Sequence, residues 1–167
     1  MNGKLVVFRV DASQNMGTGH VMRCLTIAQY LKKNDIDSVF ICRKFTGNLI
    51  HFIEEKNFTV YALDDNTENI PVSTSIYDKW LGDSWQNDAK ETLKIIGKLP
   101  VSLLIVDHYA IRASWESYVN SHQLFKLYVI DDLADRTHIC DLILDQTYLR
   151  HESNYHQLVP EYCQILT

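Results

Sequence analysis

The stretch Arg9 to Tyr30, RVDASQNMGTGHVMRCLTIAQY, constrains this chain more than any other. It follows the short apolar run Lys4 to Val10, whose β-branched content and length fit a buried parallel strand. A loop holding Gly17 and Gly19 comes next. A helical pattern then begins near His20, with Val21, Leu25, Ala28 and Leu31 recurring at three- and four-residue steps. Lys32 and Lys33 sit where a helix end favours cations, and Asn34 is a natural stop. Strand, glycine loop and helix make one β–loop–α unit, with an imidazole at the positive end of the helix dipole.

The loop is not a standard nucleotide fingerprint. In Gly17-Thr18-Gly19-His20-Val21-Met22 the third glycine of a dinucleotide site is replaced by methionine. No acidic residue closes the second strand, which ends in Cys42 and Arg43, although Arg43 and Lys44 offer charge for a 2′-phosphate. No Gly-Lys-Ser/Thr follows, which excludes a Walker A loop. A helix N-terminus disfavours imidazolium, so His20 is expected to stay uncharged near neutral pH and to serve as a general base. The alternative is a histidine that only ties down the neighbouring loop.

Further strand signals lie at 38–42, 58–62, 101–106, 125–130 and 141–144, with the beginning of another at 163–166. Helical segments fall near 47–56, 84–96 and 113–123, and Asp83 with Gln86 resembles a capping pair for the third. This alternation predicts a three-layer α/β domain around a parallel sheet. The polar-aromatic stretch 64–81 is expected either to move freely or to fold over a site. At 167 residues the chain suffices for one domain, spanning 1–167.

A net charge of −5 and the absence of basic runs argue against nucleic acid. No apolar run is long enough for a membrane span, and no signal-peptide pattern opens the chain. Cys24, Cys42, Cys140 and Cys163 form no C-x-x-C pair, so all four are expected to be reduced and the location cytoplasmic.

In open α/β sheets ligands bind beyond the C-terminal strand ends. Here those ends carry Asp11 and Ser13, then Asp107-His108-Tyr109, then Asp131-Asp132, then Asp145-Gln146. One reading is a divalent metal site, but no H-x-x-x-H or H-E-x-x-H spacing supports it, and no metal or cofactor is expected. A second is that the aspartates cap loops and helices. A third is a polar cleft for a hydroxyl- and amide-rich sugar, with Tyr109 as a stacking face. An acidic edge repels phosphate, so a nucleotide is expected to be held elsewhere.

The segments RVDASQNMGTGHVMRCLTIA, LLIVDHYAI and VIDDLADRTHICDLILDQ resemble successive motifs of one bacterial family. LGDSWQNDAKETL and the tail NYHQLVPEYCQILT fit the same pattern. The family is the UDP-diacetamido-trideoxy-altropyranose hydrolases of pseudaminic acid synthesis, similar in fold to a peptidoglycan glycosyltransferase. The resemblance implies the N-terminal half of a GT-B-type fold with two Rossmann-like halves. It also implies metal-free attack of water on the anomeric carbon, inversion, and departure of UDP. The catalytic histidine of the family falls on His20 and its substrate-side tyrosine on Tyr109. Substrate contacts are expected from Asp11, Gly17, Thr18, Gly19, Asp107, His108, Tyr109, Asp132 and Gln146. The family tail commonly reads Asp-Gln-Asn where this chain has Asp145-Gln146-Thr147. The partners implied are a UDP-activated diacetamido sugar and a C-terminal UDP-binding domain that this chain lacks. A GT-B nucleotide-sugar glycosyltransferase and a non-catalytic sugar-binding fragment are the alternative readings.

Overall fold

A computed structural model describes residues 5–70, 77–121 and 125–167. Its elements run β1 (Leu5–Val10), α1 (Gly19–Lys32), β2 (Asp37–Arg43), α2 (Ile50–Glu55), β3 (Thr59–Leu63), α3 (Trp85–Ile96), β4 (Val101–Asp107), α4 (Ala113–Asn120), β5 (Lys126–Ile130), β6 (Leu142–Leu144) and β7 (Gln164–Leu166). Short 3-10 turns occupy Thr67–Asn69, Asp78–Leu81 and Glu152–Asn154. The seven strands among the described residues form one sheet in the order β3-β2-β1-β4-β5-β6-β7, and every pair is parallel. The expected Rossmann-like three-layer α/β fold is what the chain adopts.

β1 lies at the middle of the sheet and all six of its residues are buried, as a strand covered on both faces requires. Alternation sends Val6, Phe8 and Val10 to one face, against Val21, Cys24 and Leu25 of α1 and Ile53 of α2. Val7 faces the other way, into a core built with Ala89 and Ile96 of α3 and Trp115 and Val119 of α4. The helices therefore change face between the β2/β3 side and the β4/β5 side. The sheet's topological switch point lies between β1 and β4, and in open α/β sheets ligands bind beyond the C-terminal strand ends at such a point.

Several local expectations shift. The N-cap of α3 is Ser84, whose hydroxyl accepts from the Asn87 backbone N–H at 3.2 Å. Asp83 stands one residue earlier, accepting from the Ser84 N–H at 2.6 Å and the side chains of Asn66 and Asn87. Within the stretch 64–81, residues 71–76 lie outside the described residues. Residues 77–81 form a tight turn packed over the sheet's C-terminal edge, closed by Gly82 at φ +71°. The tail of the predicted fourth helix, 122–123, also lies outside the described residues.

Candidate active site

The loop after β1 is a tight turn. The Gly17 N–H donates to the Ser13 carbonyl at 2.8 Å, and Ser13 Oγ accepts from the Met16 N–H at 3.1 Å. Gly17 sits at φ +76°, a conformation glycine adopts without cost. Gly17, Thr18 and Gly19 are exposed, and a Cβ on either glycine would meet no atom within 4 Å. The backbone here borders open space. His20 follows in the first turn of α1 and is 8% exposed.

His20 does not stand alone. Its Nδ1 lies 2.6 Å from Asp107 Oδ1, at the end of β4 and on the far side of the switch point. A carboxylate accepts, so Nδ1 carries the hydrogen and the neutral ring presents the Nε2 lone pair. Nε2 has no hydrogen-bond partner among the described residues, and it is not among the buried polar atoms sealed from solvent. Asp107 is itself fully buried. Burial alone pushes its carboxyl up, but hydrogen bonds from Arg23 and His20 outweigh that and hold it below the ordinary carboxylate range.

Arg23, one helical turn beyond His20, binds two carboxylates together. Its Nε and Nη2 meet Asp107 at 2.5 and 2.6 Å, and its Nη1 meets both oxygens of Asp132 at 2.8 and 2.7 Å. The Tyr109 hydroxyl donates to Asp132 Oδ2 at 3.0 Å, and its ring stands edge-on to His20 with centroids 4.5 Å apart. Burial and the neighbouring Asp132 push the Tyr109 phenol up to about 12, so it remains a donor throughout the neutral range. Above Tyr109 sit Tyr77, at 5.3 Å, and the Trp80 ring, stacked at 6.0 Å. Part of the 64–81 stretch therefore roofs the site.

Asp11 and His108 lie behind this cluster rather than on its open side. Asp11 is fully buried: Oδ2 takes Arg9 Nη1 at 2.7 Å and Oδ1 takes the Arg43 N–H at 2.6 Å. Burial raises its carboxyl, but Arg9 and His108 overcome this and drive it far below the ordinary range. His108 Nδ1 accepts from the Ala110 N–H at 3.0 Å, which places the ring hydrogen on Nε2, 3.3 Å from Asp11 though out of line for a hydrogen bond. Burial holds His108 below the ordinary imidazole value. Arg9 in turn clasps Asp88 of α3, which also accepts from Arg43 Nη2 and Trp115 Nε1. Arg43 is thus wholly buried and committed to Asp88, Glu91 and the Asp64 carbonyl. It is unavailable to any 2′-phosphate, and Lys44 is paired with Asp64.

The edge is also less acidic than the aspartates suggest. Arg136 meets Asp131 at 2.7 Å and Arg150 meets Asp145 at 2.5 Å, while the single Tyr155 hydroxyl stands between them, 2.9 Å from Asp131 Oδ2 and 2.6 Å from Asp145 Oδ2. With Arg23 on Asp107 and Asp132, three arginines offset four carboxylates. The argument that naked negative charge repels phosphate from this half therefore fails. Gln146 is exposed beyond β6 and makes no hydrogen bond with the cluster among the described residues. Among the described residues no group of three or more His, Cys, Asp or Glu side chains is placed to hold a metal ion.

The sequence motifs thus converge in part: His20, Asp107, Tyr109 and Asp132 meet, with the Gly17–Gly19 turn as a rim. The residue missed by sequence reasoning is Arg23, although its three-residue step from His20 puts both on one helical face. Trp80, Arg136 and Arg150 carry no comparable local signal.

No protein-family model matches the chain. The UDP-2,4-diacetamido-2,4,6-trideoxy-beta-L-altropyranose hydrolase of Campylobacter jejuni is 31% identical over 160 residues, 96% of this chain and 48% of that protein. This chain is a relative of that hydrolase. It spans about half the length of the protein it matches. An uncharacterized protein of Methanocaldococcus jannaschii is 36% identical over 58 residues, 35% of this chain and 12% of that one. Among the described residues no helix is long and apolar enough to cross a membrane.

Proposed function

We infer that this chain is the sugar-side half of a cytoplasmic nucleotide-sugar hydrolase and supplies its general base. The substrate is a UDP-linked diacetamido-trideoxy sugar. The observation that carries this reading is the His20–Asp107 pair at 2.6 Å, with the opposite ring nitrogen unclaimed at the C-terminal edge of the sheet.

In the reaction, Nε2 of His20 takes a proton from water as the water oxygen bonds to the anomeric carbon. The C1–O bond breaks on the opposite face, its electron pair leaves on the UDP oxygen, and the configuration inverts. Asp107 acts through His20, orienting the ring and stabilising the imidazolium that forms. Asp132 and Tyr109 present polar atoms to the sugar, while the open space along Gly17, Thr18 and Gly19 admits it against the backbone. Gln146 lies on the rim. A second, UDP-binding half completes the enzyme, in keeping with the match to 48% of the relative.

The test combines this chain with such a second half and follows UDP release. His20→Ala is expected to lower turnover by about 10²–10⁴-fold, the usual worth of a positioned base, and Asp107→Asn to fall in the same range. Full activity in His20→Ala rejects the reading. Turnover by the 167-residue chain alone rejects the idea that two halves are needed. Preferential transfer to an added sugar alcohol would make the protein a glycosyltransferase instead.

A further inference from the structure

The geometry points to Arg23 as the positioning residue that keeps His20 available as a base, by acting as the fixed counter-ion of Asp107. This rests on the proposed role of His20, but it concerns a residue that no sequence motif or comparison assigns.

A buried carboxylate needs a cation. Asp107 has two groups able to fill that role, the Arg23 guanidinium and the His20 imidazole. Arg23 holds Asp107 with two charged hydrogen bonds, while its Nη2 passes 3.4 Å from His20 Nδ1. With Arg23 in place, Asp107 is already neutralised and His20 need only donate one hydrogen bond. Without it, the only cation left for Asp107 is an imidazolium, and a ring that has taken its second proton cannot accept another from water.

The surroundings sharpen this. From α1, the Cys24 thiol reaches Asp107 at 3.6 Å, and burial keeps it protonated. From the end of β4 come Asp107 and Tyr109, a neutral phenol. Beyond β5 lies Asp132, held by Arg23 and Tyr109. Tyr77 of the 77–81 turn packs against the Tyr109 ring with centroids 5.3 Å apart. Arg136 lies over the far part of the same ring, 6.0 Å from its centre, and is committed to Asp131. Asp11 and His108 close their own network with Arg9. Arg150 donates to the Asp132 backbone carbonyl at 2.7 Å and pairs with Asp145, so among the described residues Arg23 is the only arginine or lysine hydrogen-bonded to the carboxylate of Asp107 or of Asp132. Its removal takes the set from minus one to minus two.

The experiment is an NMR titration of the His20 ring in this chain, followed by imidazole nitrogen and carbon shifts. It needs no turnover, so its outcome is separate from the hydrolase assay: loss of the base role in that assay leaves this result standing, and the reverse. In Arg23→Met the midpoint is expected to rise by about 1–3 pH units, the shift an uncompensated carboxylate within hydrogen-bond reach produces. Arg23→Lys keeps the charge and is expected to restore most of the parent value. In Asp132→Asn, which keeps Arg23 and removes one negative charge, the midpoint moves down. A midpoint unchanged in Arg23→Met overturns the proposal. Should that variant fail to fold, an unchanged or raised midpoint in Asp132→Asn overturns it instead.

Discussion

Replacing Asp88 by alanine removes the carboxylate on which the interior of the sheet is tied. Oδ1 accepts from Arg9 Nε at 3.2 Å and Trp115 Nε1 at 2.9 Å, and Oδ2 from Arg9 Nη2 at 2.6 Å and Arg43 Nη2 at 2.8 Å. All four residues are fully buried. After truncation Arg9 keeps Asp11, and Arg43 keeps the Asp64 carbonyl and a long contact to Glu91 at 3.4 Å. Neither guanidinium is wholly abandoned, so the expected loss is that of breaking one buried ion pair, about 3–5 kcal/mol. For a domain of this size each kcal/mol moves the thermal midpoint by about 2–4 °C, so the midpoint should fall by about 6–20 °C. Differential scanning calorimetry or thermal circular dichroism measures it. The pH dependence gives a second signature. Burial raises the Asp88 carboxyl, but Arg9 and Arg43 outweigh it, so the folded value lies below the unfolded one. The stabilisation is then complete above the unfolded value of about 4 and is lost as pH falls through the folded value. The variant should lose part of this acid sensitivity. A midpoint drop under about 3 °C with native-like aromatic dichroism would refute the assignment of Asp88 as the central tie.

Two further outcomes follow from the same structure. Gly82→Ala places a Cβ against Arg43 Cδ and 2.6 Å from Phe45 Cζ, at φ +71°. It should cost about 2–4 kcal/mol in urea unfolding with an unchanged slope, and a loss under about 1 kcal/mol contradicts it. Among the four free thiols, Cys163 is half-buried and its thiolate is favoured by the Cys140 thiol 3.6 Å away, whereas burial pushes Cys24 and Cys42 up. A thiol reagent on the native protein should show one fast site that disappears in Cys163→Ser; labelling of Cys24 or Cys42 at that rate contradicts it.

The fold was legible because parallel strands buried on both faces must be continuous apolar runs, and the helices between them keep their period. Every strand from β1 to β7 falls within one or two residues of its expected span, including the short β7. The site was only half legible. His20, Asp107, Tyr109 and Asp132 share an edge because a parallel sheet puts all strand C-termini together, which sequence order alone reveals. Arg9, Arg43 and Asp88 were opaque because a buried charge is explained only by its partner, and Asp88 is 79 residues from Arg9. The acidic-edge argument failed for the same reason: it counted the aspartates while Arg136 and Arg150 reach them from loops that have no periodicity to read.

The ion-paired heart of the sheet also bears on how the chain is made. Arg9 and Arg43 leave the ribosome long before Asp88 and Glu91. In a nascent chain that has emerged only as far as β3, Arg43 has neither the acidic side chains of α3 to meet nor that helix to cover it, and stays in water. That face of the first three strands is therefore finished only when α3 packs onto it.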